Sequence, residues 1–267
     1  MYEACFNNRF TNTLVLYIFL LVLLLVSPFL FAWELVNSIC SCFRSKENMS
    51  GKVVLITGAS SGLGELMAYE YAKLGAYLVI IATKKPESRL EFVANKAREL
   101  GSPDVLFIFA DVSKADDCRM FVEDTIKHFG RLDHLVCNAG IGPLYSINND
   151  ATKFTPVMDI NFWGSVYPTH FAIPHLMKTN GKIVVNASCA GVLNPPRGGF
   201  YNDMRDVVPT MDAEPCVKVV VDGIRKGATF ITEPRFNKAL FLIQFLFPQL
   251  HQFYFNMYFP SKNRKLK

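Results

Sequence analysis

The hydrophobic residues of this 267-residue chain follow two different patterns. Residues 14–33 are almost wholly apolar, and no charged residue occurs between Arg9 and Glu34. From residue 51 onward, short apolar runs rich in β-branched residues alternate with segments whose apolar positions recur at helical spacing. Buried strands that alternate with helices are typical of a parallel sheet covered by helices on both faces. The pattern therefore predicts an α/β domain preceded by a separate apolar segment.

The alternating region predicts a Rossmann-like, doubly wound parallel sheet. Strands are predicted over 53–56, 77–82, 105–110, 132–137 and 182–188, and helices over 65–72, 87–100, 116–129, 155–177 and 216–226. Gly101 and Gly130 directly follow two of these helices, at the position where glycine commonly ends a helix. A further run at 228–232, before Pro234, predicts one more strand.

A glycine-rich turn, T-G-A-S-S-G-L-G at 57–64, joins the first strand to the first helix. Gly58 can adopt backbone angles that a Cβ would forbid, Gly62 lets the main chain approach a phosphate, and Gly64 lets the helix pack closely. The free N–H groups and the dipole of the helix start, with the two serine hydroxyls, would attract an anion. The turn predicts a nucleotide-binding site, and a plain strand-to-helix turn is the alternative.

Other predicted strands also end in small or polar residues. Asp111-Val112 follows the third strand, and Asn138-Ala139-Gly140 follows the fourth. Because ligands bind at the carboxyl edge of such sheets, these turns are expected to line one crevice.

The end of the second strand bears on the choice of cofactor. Thr83, Lys84 and Lys85 stand where an acidic residue would bind the ribose 2′-hydroxyl of NAD(H). Two lysines and no carboxylate favour the 2′-phosphate of NADP(H). The alternative is that both lysines are ordinary solvated side chains.

The apolar segment at 14–33 is long enough to cross about 30 Å of hydrocarbon as a helix. We predict an N-terminal membrane anchor and linker at 1–50, a catalytic domain at 51–238 and a C-terminal segment at 239–267. A cleaved signal peptide is the competing interpretation, and Pro28 could open the span into a hairpin. Basic residues are more frequent after the segment than before it, which weakly favours a cytosolic domain.

Composition narrows the function classes. The net charge of +5 is mild and the Lys and Arg residues are scattered, so nucleic-acid binding has little support. Seven cysteines with no C-x-x-C pair suggest reduced thiols and no metal site.

Taken together, these motifs resemble the short-chain dehydrogenase/reductase family, and most closely its plant 11-beta-hydroxysteroid dehydrogenase-like members, the steroleosins. The resemblance spans residues 51–202 and rests on the glycine turn, D-V at 111–112, N-A-G at 138–140, the asparagine of N-F-W-G-S-V and the serine of N-A-S. It implies hydride transfer between a nicotinamide cofactor and a steroid-like or lipidic substrate, and with the lysines after the second strand the expected cofactor is NADP(H). The cofactor-binding residues expected are Gly58, Ser60, Ser61, Gly62, Leu63, Gly64, Thr83, Lys84, Asp111, Val112, Asn138, Ala139 and Gly140.

The resemblance also implies a catalytic set of Asn161, Ser188, Tyr201 and a lysine four residues after the tyrosine. Hydride transfer to a carbonyl needs a proton donor at the oxygen, and a tyrosine serves if an adjacent cation lowers its pKa. A core asparagine with satisfied hydrogen bonds is the alternative for Asn161.

The chain departs from the family after Tyr201. Arg205 stands at the lysine position, and the family's next helix, sixth strand and Pro-Gly loop have no counterpart in 203–214. We expect a sheet truncated after its fifth strand, with exposed apolar edges. A catalytically impaired member that acts as a structural or interaction protein is therefore the alternative function.

The C-terminal segment at 239–260 is rich in Phe, Leu and Tyr and precedes a basic run at 262–267. It suits a membrane surface, and packing against the domain core or a second subunit is the alternative. The expected partners are a lipidic small molecule and a membrane or lipid-droplet surface, with a homodimer possible. The expected location is the endoplasmic reticulum or the lipid droplet.

Overall fold

A computed structural model describes residues 17, 21–22, 25–29, 32, 36, 44–84, 89–142, 154–188, 211–234, 237–249 and 253. The chain divides into two compact units, Met1–Lys46 and Glu47–Lys267. In the first unit the described residues up to position 36 are helical. Most of the predicted anchor at 14–33 lies outside the described residues. Among those described, no helix combines the length and the hydropathy that a bilayer crossing requires.

The second unit is built on a five-stranded sheet with the order β3-β2-β1-β4-β5, and all neighbouring strands are parallel. The strands are β1 (Val53–Thr57), β2 (Tyr77–Ala82), β3 (Val105–Phe109), β4 (His134–Cys137) and β5 (Lys182–Val185). The chain moves outward from β1 to β3 and then returns to the other side of β1 with β4. This reversal places a crevice at the carboxyl ends of β1 and β4.

Helices cover both faces of the sheet. They are α1 (Gly62–Lys73), α2 (Leu90–Glu99), α3 (Ala115–Phe129), α4 (Thr155–Met158), a π-helical turn (Asp159–Trp163), α5 (Gly164–Thr179), α6 (Ala213–Arg225) and α7 (Asn237–Leu246). Side chains of α1, α2 and α6 pack with one face of the sheet, and side chains of α3 and α5 pack with the other. The predicted doubly wound α/β fold is confirmed.

The central strands are apolar throughout because helices bury both of their faces. All five residues of β1 are buried, with Val54 and Ile56 on the α1 side and Val53 and Leu55 on the α3 side. Burying each such side chain contributes about 1.5–3 kcal/mol. This core fixes the strand ends that carry the candidate site.

The five predicted strands are confirmed, whereas the further strand predicted at 228–232 is wrong. Residues 228–232 are irregular, and among the described residues no strand lies beyond β5 to which they could pair. Val185 of β5 is 58% exposed, although it belongs to an apolar strand. The described sheet therefore ends at an exposed apolar edge.

A cavity of about 500 Å³ runs along β5. Its lining is mostly apolar and includes Val184, Val220, Ile224 and Phe230, and it extends to Asn186. The volume lies within the usual range of about 300–1,000 Å³ for small-molecule pockets.

The amino edge of the sheet, opposite the crevice, carries a charged cluster around Glu47. The Glu47 carboxylate accepts a hydrogen bond from Lys182 Nζ at 2.5 Å and lies 3.3 Å from His134 Nε2. The Glu47 backbone is bonded at both its N–H and its carbonyl to Arg225 of α6. Burial alone would raise the Glu47 pKa, but the hydrogen bond from Lys182 and the nearby cationic groups lower it overall. Glu47 thus joins the start of the unit to β4, β5 and α6.

Candidate active site

The glycine turn between β1 and α1 lies at the carboxyl edge of the sheet. Gly58 and Gly62 have φ values of +66° and +61°, the left-handed region that favours glycine. A Cβ on Gly58 would lie 2.7 Å from the Ala139 Cα, so glycine is also required there by space. A Cβ on Gly62 would meet no atom within 4 Å, so the main chain at Gly62 borders open space.

The start of α1 provides further donors on this open side. Ser61 is the N-cap residue, but its hydroxyl does not cap the helix. Ser61 and Leu63 are exposed, Ser60 is half-buried, and Gly64 is packed against Gly58 and the Asn138 side chain. The N–H groups of the first helical turn carry the positive end of the helix dipole, so the turn is chemically suited to a phosphate.

The hydroxyl of Thr57 joins the ends of β1 and β4. Thr57 is fully buried, and its Oγ1 accepts hydrogen bonds from the backbone N–H groups of Asn138 (3.0 Å) and Ala139 (3.1 Å). The same hydroxyl lies 3.4 Å from the Val136 carbonyl, to which it donates. One side chain therefore fixes the N-A-G turn against the glycine turn.

Asn138 extends this network with its side chain. Its amide nitrogen donates to the carbonyls of Thr57 (3.0 Å) and Gly58 (3.3 Å). Its amide oxygen accepts a hydrogen bond from the Asn186 Nδ2, 2.8 Å away. The ends of β1, β4 and β5 are thus connected through one asparagine.

Asn161 lies in the π-helical turn between α4 and α5. Its Oδ1 accepts from the Ile141 N–H at 2.8 Å, and its Nδ2 donates to the Ile141 carbonyl at 2.9 Å. Asn161 is exposed, so the alternative of a core asparagine does not hold. A π-helical turn commonly marks a functional site, and this one orients Asn161 toward the chain that follows Gly140.

Close packing of glycines holds the same region together. A Cβ on Gly140 would lie 3.3 Å from Asn161 Oδ1, and one on Gly164 would lie 2.7 Å from Val112 Cγ2. Val112 is buried, whereas the Asp111 carboxylate accepts hydrogen bonds from the N–H and hydroxyl of Ser113. The end of β3 is therefore packed against the start of α5.

The remaining predicted residues are placed only in part. Thr83 and Lys84 are exposed at the end of β2, and Ser188 is exposed beyond β5. Tyr201 and Arg205 lie outside the described residues, as does Lys85. The structure thus brings the glycine turn, Asn138 and Asn161 to one edge, while the tyrosine and the residue at the lysine position stay predictions.

A neighbouring thiol is inert. Burial raises the pKa of Cys137, at the end of β4, to about 11, with a hydrogen bond to Thr169 acting in the opposite direction. Cys137 is therefore protonated at neutral pH and is not a nucleophile for this site.

Sequence reasoning missed the roles of Thr57 and Asn186. Both belong to the motifs that carry the family resemblance, T-G at 57–58 and N-A-S at 186–188. For Thr57 the available signal was a hydroxyl at the last position of a buried strand, because such a group must find a partner there.

Comparison with known proteins agrees with this geometry. The family profile described as short chain dehydrogenase matches residues 52–202, more than half of the chain. The chain therefore belongs to the short-chain dehydrogenase/reductase family. The structure also resembles a crystal structure of NAD⁺-bound xylitol dehydrogenase, with a TM-score of 0.53 and 25% identity over 68% of this chain and 62% of that one.

The curated relatives refine the class. The chain is 39% identical to 11-beta-hydroxysteroid dehydrogenase-like 4A of Arabidopsis thaliana, over 91% of this chain and 96% of the relative. It is 54% identical to 11-beta-hydroxysteroid dehydrogenase of Pinus massoniana over 61% of this chain and 46% of that protein. Within its family the chain is thus of the plant 11-beta-hydroxysteroid dehydrogenase-like type.

The longer alignment also indicates missing residues. It extends over 291 positions, whereas 91% of 267 residues is only about 243, so roughly 48 positions of the Arabidopsis relative have no counterpart here. The Pinus alignment of 164 positions covers 61% of the chain, about 163 residues, and so has almost no such gap. The missing residues support the predicted internal deletion.

Proposed function

We propose that this protein is an NADP(H)-dependent oxidoreductase that transfers hydride between the nicotinamide and a hydroxyl or ketone of a steroid-like or lipidic substrate. The observation that carries the proposal is the glycine turn after β1, whose main chain borders open space at Gly62 and whose start is bonded by the Asn138 side chain. The names of the plant relatives support the substrate class. The apolar cavity beside β5, which extends to Asn186, supports a lipophilic ligand.

The described residues fit a dinucleotide. The pyrophosphate would be held by the backbone at Gly62 and by Ser60 and Ser61, and the exposed Lys84 would pair with a 2′-phosphate. The nicotinamide, when bound, supplies or accepts the hydride.

The protein's own residues would manage the oxygen and its proton. Ser188 would hold the substrate oxygen by a hydrogen bond, and Tyr201 would donate a proton to it as the carbonyl is reduced. Arg205 would lower the tyrosine pKa by its charge, although its planar guanidinium does not replace a compact ammonium closely. Asn161 would position a water molecule for proton exchange.

The test is a cofactor titration of the full-length chain in detergent, monitored by thermal unfolding. A ligand present at 100 times its Kd stabilises the folded state by about 2.7 kcal/mol, so NADPH is expected to raise the Tm. NADH should raise it less, and Lys84→Glu should reduce that difference. An unchanged Tm at millimolar NADPH would rule out the oxidoreductase.

We further propose that residues 14–33 anchor the protein to the endoplasmic reticulum or a lipid droplet, with the folded unit in the cytosol. The support is the apolar run itself and the basic residues that follow it. Release of the full-length chain from membranes by carbonate or high salt would contradict this.

A second candidate is a family member without turnover that acts as a membrane-associated interaction partner, for example in a homodimer. Two observations favour it, the exposed edge at Val185 and the roughly 48 missing positions. Under this proposal NADPH would bind, no hydroxysteroid in a panel would be oxidised or reduced, and Arg205→Lys would not restore turnover. Turnover by the unsubstituted chain would exclude it.

A further inference from the structure

Strand β5 has an open edge. The N–H of Lys182 donates to the Asp133 carbonyl, and the N–H of Asn186 donates to the carbonyl of the last residue of β4. Successive residues of a strand direct their backbone groups to opposite edges, so the N–H and carbonyl groups of Ile183 and Val185 face away from β4. No described strand lies on that side. An unpaired edge of this kind is a template for another extended chain.

The cavity along β5 has a second wall, which is fixed in place. This wall is the irregular run 228–231. The Ala228 N–H donates to the Gly223 carbonyl of α6 at 3.0 Å, and a Cβ on Gly223 would lie 2.8 Å from the Ile231 Cδ1. The cavity of about 500 Å³ is thus bounded by the β5 edge and by a run held against α6. A free extended segment can enter such a space, whereas the edge of a second folded sheet would collide with residues 228–231.

The side chains around the cavity indicate which segment it suits. Val184 of β5 lines the cavity together with Val220 and Ile224 of α6, on one face of the sheet. Ile183 and Val185 point to the other face, where they are 42% and 58% exposed. Because side chains alternate along a strand, an added strand would place every second side chain against α6 and the others beside Ile183 and Val185. Apolar and β-branched side chains fit both positions.

We propose that the open edge of β5 binds an extended, uncharged, β-branched segment of another polypeptide by strand addition. The backbone groups of Ile183 and Val185 bond the segment, and its side chains fill the cavity. Among the described residues that line the cavity only Lys182 is charged, and it is paired with Glu47, so a charged segment would find no partner there. The proposal goes beyond the oxidoreductase, because strand addition requires no turnover, and it gives the second candidate function a binding site.

The test titrates the full-length chain in detergent into a fluorescein-labelled heptapeptide, in which valine and threonine alternate between two terminal lysines, and measures fluorescence anisotropy. In the matched control peptide, proline replaces the central valine and the threonine after it, which removes a backbone donor from each edge of the strand. Val185→Pro removes an outward N–H of β5 and leaves the hydrogen bonds between β5 and β4 in place. Val185→Thr keeps both the N–H and a branched side chain.

The valine–threonine peptide is expected to bind the unsubstituted chain and Val185→Thr, whereas the proline peptide is not. For Val185→Pro the loss of one hydrogen bond should raise the Kd by roughly 2- to 13-fold, in a protein whose cooperative thermal unfolding shows that it is folded. Equal binding of the two peptides would overturn the proposal, because it would exclude strand addition.

The outcome is independent of the cofactor. If a folded chain whose Tm rises with NADPH binds neither peptide, the proposal is wrong and the oxidoreductase stands. If such a chain instead binds a hydroxysteroid, the cavity is a small-molecule site. Selective binding of the valine–threonine peptide by a chain whose Tm does not respond to NADPH would support strand addition and contradict the oxidoreductase.

Discussion

The side-chain amide of Asn186 donates a hydrogen bond to the side-chain oxygen of Asn138 over 2.8 Å. The bond spans the ends of β5 and β4 and orients the amide that Asn138 directs at the glycine turn. Asn186 lies two residues before Ser188, so the segment after β5 that carries the proposed oxygen-binding serine is joined to the turn proposed to hold the pyrophosphate.

Replacing Asn186 with alanine should weaken NADPH binding, because Asn138 loses the partner that fixes its side chain. A typical hydrogen bond contributes about 0.5–1.5 kcal/mol, which corresponds to a change in Kd of roughly 2- to 13-fold. Isothermal titration with NADPH measures it. Asn95→Ala is the control, because Asn95 bonds only the exposed Arg98 among the contacts described, and an equal loss in both variants would contradict the role of Asn186.

Replacing Thr57 with valine should destabilise the fold. The two side chains have similar shapes, but valine leaves the N–H groups of Asn138 and Ala139 without their acceptor. An unsatisfied buried donor costs about 1–3 kcal/mol, so the free energy of unfolding should fall by at least about 2 kcal/mol. Urea denaturation measures the change, and Thr57→Ser, which keeps the hydroxyl, should recover most of it.

Replacing Gly58 with alanine should lower the free energy of unfolding more than replacing Gly130 with alanine. Both glycines have positive φ, +66° and +72°, so both variants suffer the backbone strain of about 1–2 kcal/mol. Only at position 58 would the new Cβ meet backbone, the Ala139 Cα at 2.7 Å. Thermal unfolding should show a larger decrease in Tm for Gly58→Ala than for Gly130→Ala. The affinity of Gly58→Ala for NADPH should fall as well. Equal effects would mean that the loop yields to the methyl group.

Stability should fall as the pH drops below 6.5. Burial lowers the pKa of His134 from its usual 6.5, the nearby charge of Lys182 lowers it further, and the Glu47 carboxylate acts in the opposite direction. Because the folded pKa is depressed, the contribution is fully present above pH 6.5 and is lost as the pH falls through the folded value. Tyr71, with its hydroxyl 3.2 Å from the ring, and Asp133 are the other groups that face this histidine.

The expected loss is at most about 1.4 kcal/mol per pH unit for one histidine. Urea unfolding between pH 7.5 and 5.0 measures it, and His134→Gln should reduce the slope. The carboxyl groups of Glu47 and Asp133 have lowered pKa values and titrate below this range. If the free energy of unfolding changes with pH by the same amount in the unsubstituted protein and in His134→Gln, other groups cause the pH dependence.

The sequence allowed the sheet to be predicted closely, because strands that are buried on both faces appear as apolar runs. The predicted limits of β2, 77–82, coincide with those in the structure. The error at 228–232 has the same physical origin, since a β-branched run forms a strand only where a neighbouring strand offers hydrogen bonds. Local pattern alone does not reveal whether that neighbour exists.

The candidate site could be predicted less completely. Position in a motif indicated Asn138 and Asn161, but not that Asn161 lies in a π-helical turn and bonds Ile141, twenty residues away in sequence. The hydrogen bond of Asn186 was not predicted either, because its acceptor, Asn138, lies 48 residues away in sequence. Such pairings arise from the order of the strands in space, which the amino-acid pattern specifies only indirectly.

The contacts of Glu47 determine where a shortened version of this protein should begin. A fragment that begins at Gly51, just before the first strand, would lack Glu47. It would lose the carboxylate that pairs with Lys182 and the two hydrogen bonds between the Glu47 backbone and Arg225. A version that begins a few residues upstream of Glu47 would keep both. If the fragment that begins at Gly51 fails to fold, the loss of Glu47 alone could explain the failure. Only the fragment that keeps Glu47 tests whether the five-stranded sheet is stable.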